Sequence, residues 1–390
     1  MQRSEGRILT THTGSLPRPK ALTELFARRT RGEAVDAADI TREGKAATRI
    51  ILPRQVEGGL DVINDGEQGG DSFGLYIRHR LTGIGGQSSR AGFGDLDNYP
   101  DYKQAFIDAN AEKVAVSNTA HLPAAIGPVG YPDTAAIDDE LADFAQALAP
   151  LAGRYVESFM SAPSPGIVGS IVQNRHYDTE DAYFAALGAA LRVEYEAIHR
   201  AGHVLQLDCP DLALERHVSY RDRPLADFLD FVERVVATIN NAIADIPRDR
   251  MRLHVCWGNY EAPHDLDVPL ADIWPIIRQA RVGGFVLPFA NPRHAHETRV
   301  IAEKPMDDDQ ILVAGVIDTL TNFVEHPEVV AERLERAAAA VGDPTRVLAG
   351  TDCGFDTAAG RGRVTPDVVW AKMRSMAEGA RIASGRLFGG

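Results

Sequence analysis

Eight short runs rich in β-branched and aliphatic residues punctuate this chain, and longer segments with helical periodicity separate most of them. The runs cover 8–13, 60–65, 156–161, 204–208, 253–257, 284–287, 311–317 and 347–351. Among the helical segments, 179–201 carries Phe184, Leu187, Leu191, Tyr195 and Ile198 at three- and four-residue steps, with Gly202 as a stop. Segments 225–246 and 329–341 repeat the pattern. Strand and helix alternating about eight times favours an α/β fold of the (β/α)8 TIM-barrel type over an open doubly wound sheet. With 390 residues, 44% hydrophobic and 25% charged, the chain is long enough to bury one such core. We therefore expect a single barrel domain over 1–390.

One interval breaks the rhythm. From about 68 to 154 there is a glycine-rich stretch at 83–94, a Tyr/Asp-rich patch at 97–102 and a strand-like piece at 121–129. A long irregular segment of this kind reads as an insertion after the second strand, lying over the barrel mouth. Its glycines lack the spacing and the downstream Lys-Ser/Thr of a phosphate-binding loop.

Charge narrows the partners. A formal net charge of −14 opposes binding to a phosphate backbone, so no nucleic-acid partner is expected. The first residues lack the apolar core of a signal peptide, and no run of about 18 uncharged apolar residues is present, so neither export nor a membrane is expected. The reading is cytoplasmic. Three cysteines in so long a chain make no disulfide framework and leave roles as ligand, nucleophile or buried thiol.

In a barrel the chemistry gathers where strands end. The ends here read Thr11-His12-Thr13-Gly14-Ser15, Asp65-Gly66-Glu67, Asp208-Cys209-Pro210-Asp211, His254-Val255-Cys256 and Asp352-Cys353-Gly354. On an extended strand His254 and Cys256 point the same way and suit one soft or borderline ion such as zinc. The bland alternative is a strand histidine and buried thiols.

Gly14-Ser15-Leu16-Pro17, Asp65-Gly66-Glu67, Gln206-Leu207-Asp208-x-Pro210, His254-x-Cys256 and Asp352-Cys353-Gly354 together resemble the barrel domain of cobalamin-independent methionine synthase. They also resemble its single-barrel relatives, which include epoxyalkane:coenzyme M transferases. Residues 290–297 are most similar to those shorter relatives. The resemblance spans nearly the whole chain in order. It implies a zinc-dependent enzyme that activates a thiol and transfers a methyl or other alkyl group to or from its sulfur, with His254, Cys256 and Cys353 as metal ligands. Ser15, Glu67 and Asp208 match positions that contact the amino-acid thiol, and a carboxylate pair suits an α-ammonium group. His12 is expected among the catalytic groups with Glu67 and Asp208. Arg18 is expected to grip a carboxylate or sulfonate, and Asp318, Thr319 and Asn322 to form the pocket rim.

Two departures stand out. The family's further zinc ligand, a glutamate at the end of strand six, is replaced by Pro288, and Cys209 follows Asp208 where an acidic residue is more common. One expectation joins them: Cys209 supplies the missing ligand. The histidines of His294-Ala295-His296 are expected to be exposed or helix-capping, and Trp257, Tyr260 and Trp274 to be core. The expected partners are a small-molecule, homocysteine-like thiol and an alkyl donor, either 5-methyltetrahydrofolate or another methyl donor, and a homo-oligomer would be ordinary. Alternative readings are an epoxide:thiol transferase, for which a mouth histidine would be the acid, a carbon–sulfur lyase, and a zinc- or thiol-binding protein without turnover.

Overall fold

The computed structural model describes residues 1–111 and 122–389. Its strands, in chain order, are β1 (Val62–Ile63), β2 (Thr82–Ser88), β3 (Leu122–Gly130), β4 (Glu157–Pro163), β5 (Gln173–Asn174), β6 (Val204–Asp208), β7 (Met251–His254), β8 (Gly284–Pro288), β9 (Ile311–Ile317) and β10 (Val347–Thr351). Seven of them form one curled sheet in the order β1-β4-β6-β7-β8-β9-β10, with every neighbouring pair parallel. Parallel strands covered by helices read as continuous apolar runs, and β9 (ILVAGVI) is buried at every position.

The predicted first strand, 8–13, forms a bridge at Thr10 rather than a ladder. It still touches both edges of the sheet. Thr11 N donates to Ala349 O in β10 (2.8 Å), and Val62 N in β1 donates to Thr10 O (3.0 Å). The curled sheet is thereby TIM-barrel-like. Its interior is packed by Leu9, Val62, Phe159, Val204, Val286, Ile311, Val313 and Leu348.

Helices return the chain between strands. Helix Ala37–Glu57 starts at Asp36, whose side chain accepts the Ala38 N–H, and helix Glu180–Arg200 starts at Thr179, which accepts from Ala182 N. Helix Leu225–Ala242 ends four residues short of the periodic segment, whereas Pro327–Val341 begins two residues ahead of it at a proline in its first turn.

Within 68–154 the structure departs from the expectation of irregular chain. Residues 82–88 are strand β2, antiparallel to β3, and β3 pairs in parallel with β5, which lies beyond the interval. The resulting three-stranded sheet therefore draws on both sides of the expected boundary. His121, the expected first residue of the strand-like piece, lies outside the described residues.

β7 ends at His254, so Cys256 falls in the turn after the strand and not on the strand itself. The alternation argument therefore fails for that pair, and loop geometry does the work instead.

Candidate metal and thiol site

Beneath the mouth, the interior carries an unusual polar chain. Arg252, buried in β7, donates to Gln206 Oε1 (2.8 Å) and to the His12 carbonyl (3.1 Å), and its guanidinium lies 3.9 Å from the Phe159 ring centre. Gln206 Nε2 donates in turn to Thr13 O and to Asp208 Oδ1, both at 2.8 Å. Burial lowers Arg252 to about 10. This chain ties the 8–13 segment to β6 and β7 and fixes the Asp208 carboxylate that projects from the end of β6.

Glu67 is positioned by backbone. It adopts φ 55, the left-handed region that non-glycine residues avoid. Its N–H donates to Asp65 Oδ1 (3.1 Å), and its carbonyl accepts from Arg18 Nη2 (2.6 Å). Gly14, at φ 126, is required opposite: a Cβ there would collide with Glu67 Oε1 and with Ser161 Oγ. The carboxylates of Glu67 and Asp208 repel one another. Burial first, then Asp208, pushes Glu67 well above the ordinary carboxyl range. Burial raises Asp208 to about 6 against the pull of His254 and Gln206.

Beside this pair lie His254, Cys256 and Cys353, whose donor atoms all fall within 4.8 Å of one another. Cys256 Sγ is 3.8 Å from Cys353 Sγ, which is 3.8 Å from His254 Nε2. A hydrogen bond from Cys353, assisted by His254, holds the Cys256 thiol well below its ordinary range, while Cys353 is raised by that same bond. His254 is raised: burial opposes the charge, but the Cys256 thiolate outweighs it. Among the described residues this is the one group with the proximity and donor types for a metal.

Glu67, Asp208, His254, Cys256 and Cys353 border one cavity of about 230 Å³, together with Ser15, Thr13 and Thr319. The rest of its wall includes Phe73, Leu75, Ile167, Ile171, Leu214, Tyr260 and Phe355. Phe93 stacks on Tyr260 at 3.8 Å, and Asp95 Oδ2 accepts both from the Tyr260 hydroxyl (3.1 Å) and from His264 N (3.0 Å). Residues 93–95 thus lean on the loop that follows Cys256.

Solved structures resemble the whole chain. A B12-independent methionine synthase from Shewanella sp. W3-18-1, in complex with selenomethionine, superposes with a TM-score of 0.72 at 21% identity, covering 98% of this chain and 99% of that one. The fold is that of the B12-independent methionine synthases. A Listeria monocytogenes structure described by the same enzyme's name gives 0.63 at 19% identity, over 96% of this chain and 98% of its own. No family model and no curated protein matches the sequence. Within this methionine-synthase fold, no helix among the described residues is long and apolar enough to cross a membrane.

Several predicted site residues are placed elsewhere. Cys209 is not brought to the cluster: it is fully buried in the apolar core, its Sγ pointing at Leu207 O (3.6 Å), with burial and Asp211 raising its thiol far up. Adjacent residues at a strand end face opposite ways, so the turn that presents Asp208 to the cavity turns Cys209 from it. His12 does not line the cavity. Its Nε2 meets Gln55 Oε1 (2.9 Å), its Nδ1 accepts from Gly14 N (3.3 Å), and burial drops it to about 3, which makes it a structural neutral imidazole rather than an acid. Arg18 is spent on Gly70 O (3.0 Å), Glu67 O and Asp356, leaving its guanidinium to hold loops instead of a substrate. Asn322 is exposed and ties 363–365 together by donating to Arg363 O (3.3 Å) and accepting from Thr365 N (3.2 Å). Asp318 borders an adjoining cleft, where its Oδ1 accepts from Leu320 N (2.6 Å). Pro288 borders that cleft as well.

His294 is neither exposed nor a cap. It is buried, stacked 3.8 Å from Trp257, and bonded to Asp267 and Glu297, each at 2.8 Å. His296 is exposed. Trp257, Tyr260 and Trp274 are all buried, and Tyr260 also lines the cavity. Sequence reasoning missed Gln206 and Arg252 as positioning residues, although long polar side chains within otherwise apolar strand runs were a visible signal.

Proposed function

We propose that the protein is a zinc-dependent transferase that moves a methyl group, or a related alkyl group, to or from the sulfur of a small amino-acid thiol such as homocysteine. One observation carries this reading: a His-Cys-Cys donor set and a buried carboxylate pair open onto the same cavity. The donor spacing fits zinc. With Zn–S bonds of about 2.3 Å, a tetrahedral centre separates two sulfurs by about 3.8 Å, which is the Cys256–Cys353 distance of 3.8 Å.

Zinc held by these three residues would leave a fourth position for the substrate sulfur and would keep it as a thiolate near neutral pH. Pro288 offers no side-chain ligand, so that position stays free for the thiol. Glu67 and Asp208 then hold the α-ammonium group, which relieves their mutual repulsion. Ser15, bordering the cavity, offers a hydroxyl to the other end of the amino acid. Gln206 and Arg252 keep Asp208 from turning away. The aromatic and aliphatic wall excludes water from the sulfur, which strengthens each of these contacts.

The reading includes one barrel domain, with 68–154 contributing a cover over the mouth through Phe93 and Asp95. Three unbridged cysteines suit a reducing, cytoplasmic setting. Two linked measurements test the function: zinc per chain after purification without added metal, and conversion of homocysteine by the loaded protein with a panel of methyl donors. Near one zinc per chain and a methylated product are expected. No zinc after reconstitution would end the proposal.

A further inference from the structure

The turns that carry Cys256 and Cys353 are not neighbours in the sheet. Cys256 follows β7 and Cys353 follows β10, with β8 and β9 between them, so no strand ladder sets the gap between the two sulfurs. β8 ends at Pro288 and sends no side-chain ligand into that gap. Each turn is anchored to its own surroundings. Val255 N donates to Val286 O (3.1 Å) and Trp257 Nε1 to Val268 O (2.7 Å) on one side. On the other, Thr351 Oγ1 donates to Cys353 O (2.8 Å) and Phe355 N to Ser15 O (2.8 Å).

Asn259 spans the gap. Its Nδ2 donates to the carbonyl of Gly354, the residue directly after Cys353, at 2.8 Å. Its Oδ1 accepts from Thr319 Oγ1 at 3.1 Å, and Thr319 is buried in the segment after β9. One planar amide therefore ties together the segments that follow β7, β9 and β10, using a donor and an acceptor that only an amide side chain offers on a single head. Asn259 reaches its place because Gly258, at φ 101, turns the chain sharply after Cys256 and Trp257; a Cβ there would strike Tyr260 and Leu214. The residue borders both the thiol cavity and the adjoining cleft, between the two cysteine turns.

We propose that Asn259 is a positioning residue for the metal donors: by clamping the turn after Cys256 to the turn after Cys353, it holds the two sulfurs at the separation that a single zinc ion needs. Without the clamp, zinc has to draw two separately anchored turns together, and that ordering subtracts from its affinity. The consequence for zinc rests on the function proposed above, whereas the spacing of the sulfurs can be read without any metal.

Two titrations of the full chain test the clamp: zinc by chelator competition, and phenylarsine oxide on the metal-free protein, where arsenic bonds both sulfurs and its oxygen leaves as water with the two thiol protons. The comparisons are Asn259→Leu, which keeps the size and loses both polar groups, Thr319→Val, Thr319→Ser, and Cys209→Ala as a core change away from the turns. In Asn259→Leu both affinities are expected to fall about tenfold or more. Thr319→Val should show a smaller fall in the same direction, Thr319→Ser should recover it, and Cys209→Ala should move neither affinity. Capture of phenylarsine oxide by Asn259→Leu within about threefold of the parent overturns the proposal. So does an equal loss in Cys209→Ala, which would assign the effect to general stability, or a parent chain that fails to capture the arsenical. Absence of zinc from the parent would end the zinc reading by itself, and the arsenical titration would then decide the clamp alone.

Discussion

Cys256 and Cys353 stand 97 residues apart in the chain and bring their sulfurs to 3.8 Å. One follows β7 and the other follows β10, so the closeness depends on the curl of the sheet. The hydrogen bond between the two thiols lowers Cys256 and raises Cys353, so Cys256 is the stronger acid.

Cys256→Ser is therefore expected to weaken zinc binding by about a hundredfold or more, since even indirect partners of a metal typically contribute about ten- to a hundredfold. Cys209→Ala should leave zinc per chain unchanged and show only the stability loss of a small core truncation. Elemental analysis of both variants decides the point. Loss of zinc in Cys209→Ala would return that residue to the ligand set.

Glu67→Gln and Asp208→Asn should each weaken binding of homocysteine to the zinc-loaded protein by about 1–3 kcal/mol, the cost of removing one partner from a buried charged bond. A thiol lacking the amino group, such as 3-mercaptopropionate, should lose little. Equal losses for both thiols would mean that the carboxylates shape the cavity without reading the ammonium.

Arg18→Lys should act through Glu67. A lysine cannot reach Gly70 O, Glu67 O and Asp356 at once from one planar head, so the left-handed turn at Glu67 loosens. The expected result is a homocysteine affinity reduced about tenfold with zinc content intact, corresponding to about 1.4 kcal/mol. Unchanged affinity would remove Arg18 from the positioning of the site.

His294 links stability to pH. Burial opposes its charge, but hydrogen bonds to Asp267 and Glu297 raise it from 6.5 to about 9. A raised folded-state pKa gives stability that is complete below about 6.5 and disappears as the pH climbs through about 9. Across that window about 3 kcal/mol is expected to be lost. Denaturant unfolding at pH 6 and pH 9.5 should show the fall in the parent protein, and His294→Gln should flatten it. A parallel fall in the variant would assign the effect to other groups.

Much of the scaffold was legible because periodicity is a local property. β6, β9 and β10 start and end where their apolar runs do, and helix Glu180–Arg200 sits between its cap Thr179 and the stop at Gly202. The 8–13 run was legible as strand-like yet forms only a bridge, since it is held by bonds from two neighbours rather than by a ladder of its own.

The site residues divide on the same physical line. Residue type and position at a strand end singled out His254 and Cys256, and the resemblance added Cys353, Glu67 and Asp208, because such chemistry is carried by few side chains and strand ends are where a barrel gathers them. Direction was not available. Whether Cys209 faces the cavity or the core, whether Arg18 reaches a substrate or two loop carbonyls, and whether His12 keeps a free nitrogen all depend on partners 40 or more residues away, such as Gln55, Gly70, His254 and Asp356. The order of strands and helices, and the kinds of atoms available for chemistry, were written in the sequence. Only the tertiary structure chose which of those atoms meet, because burial and long-range hydrogen bonds decide which way each side chain turns.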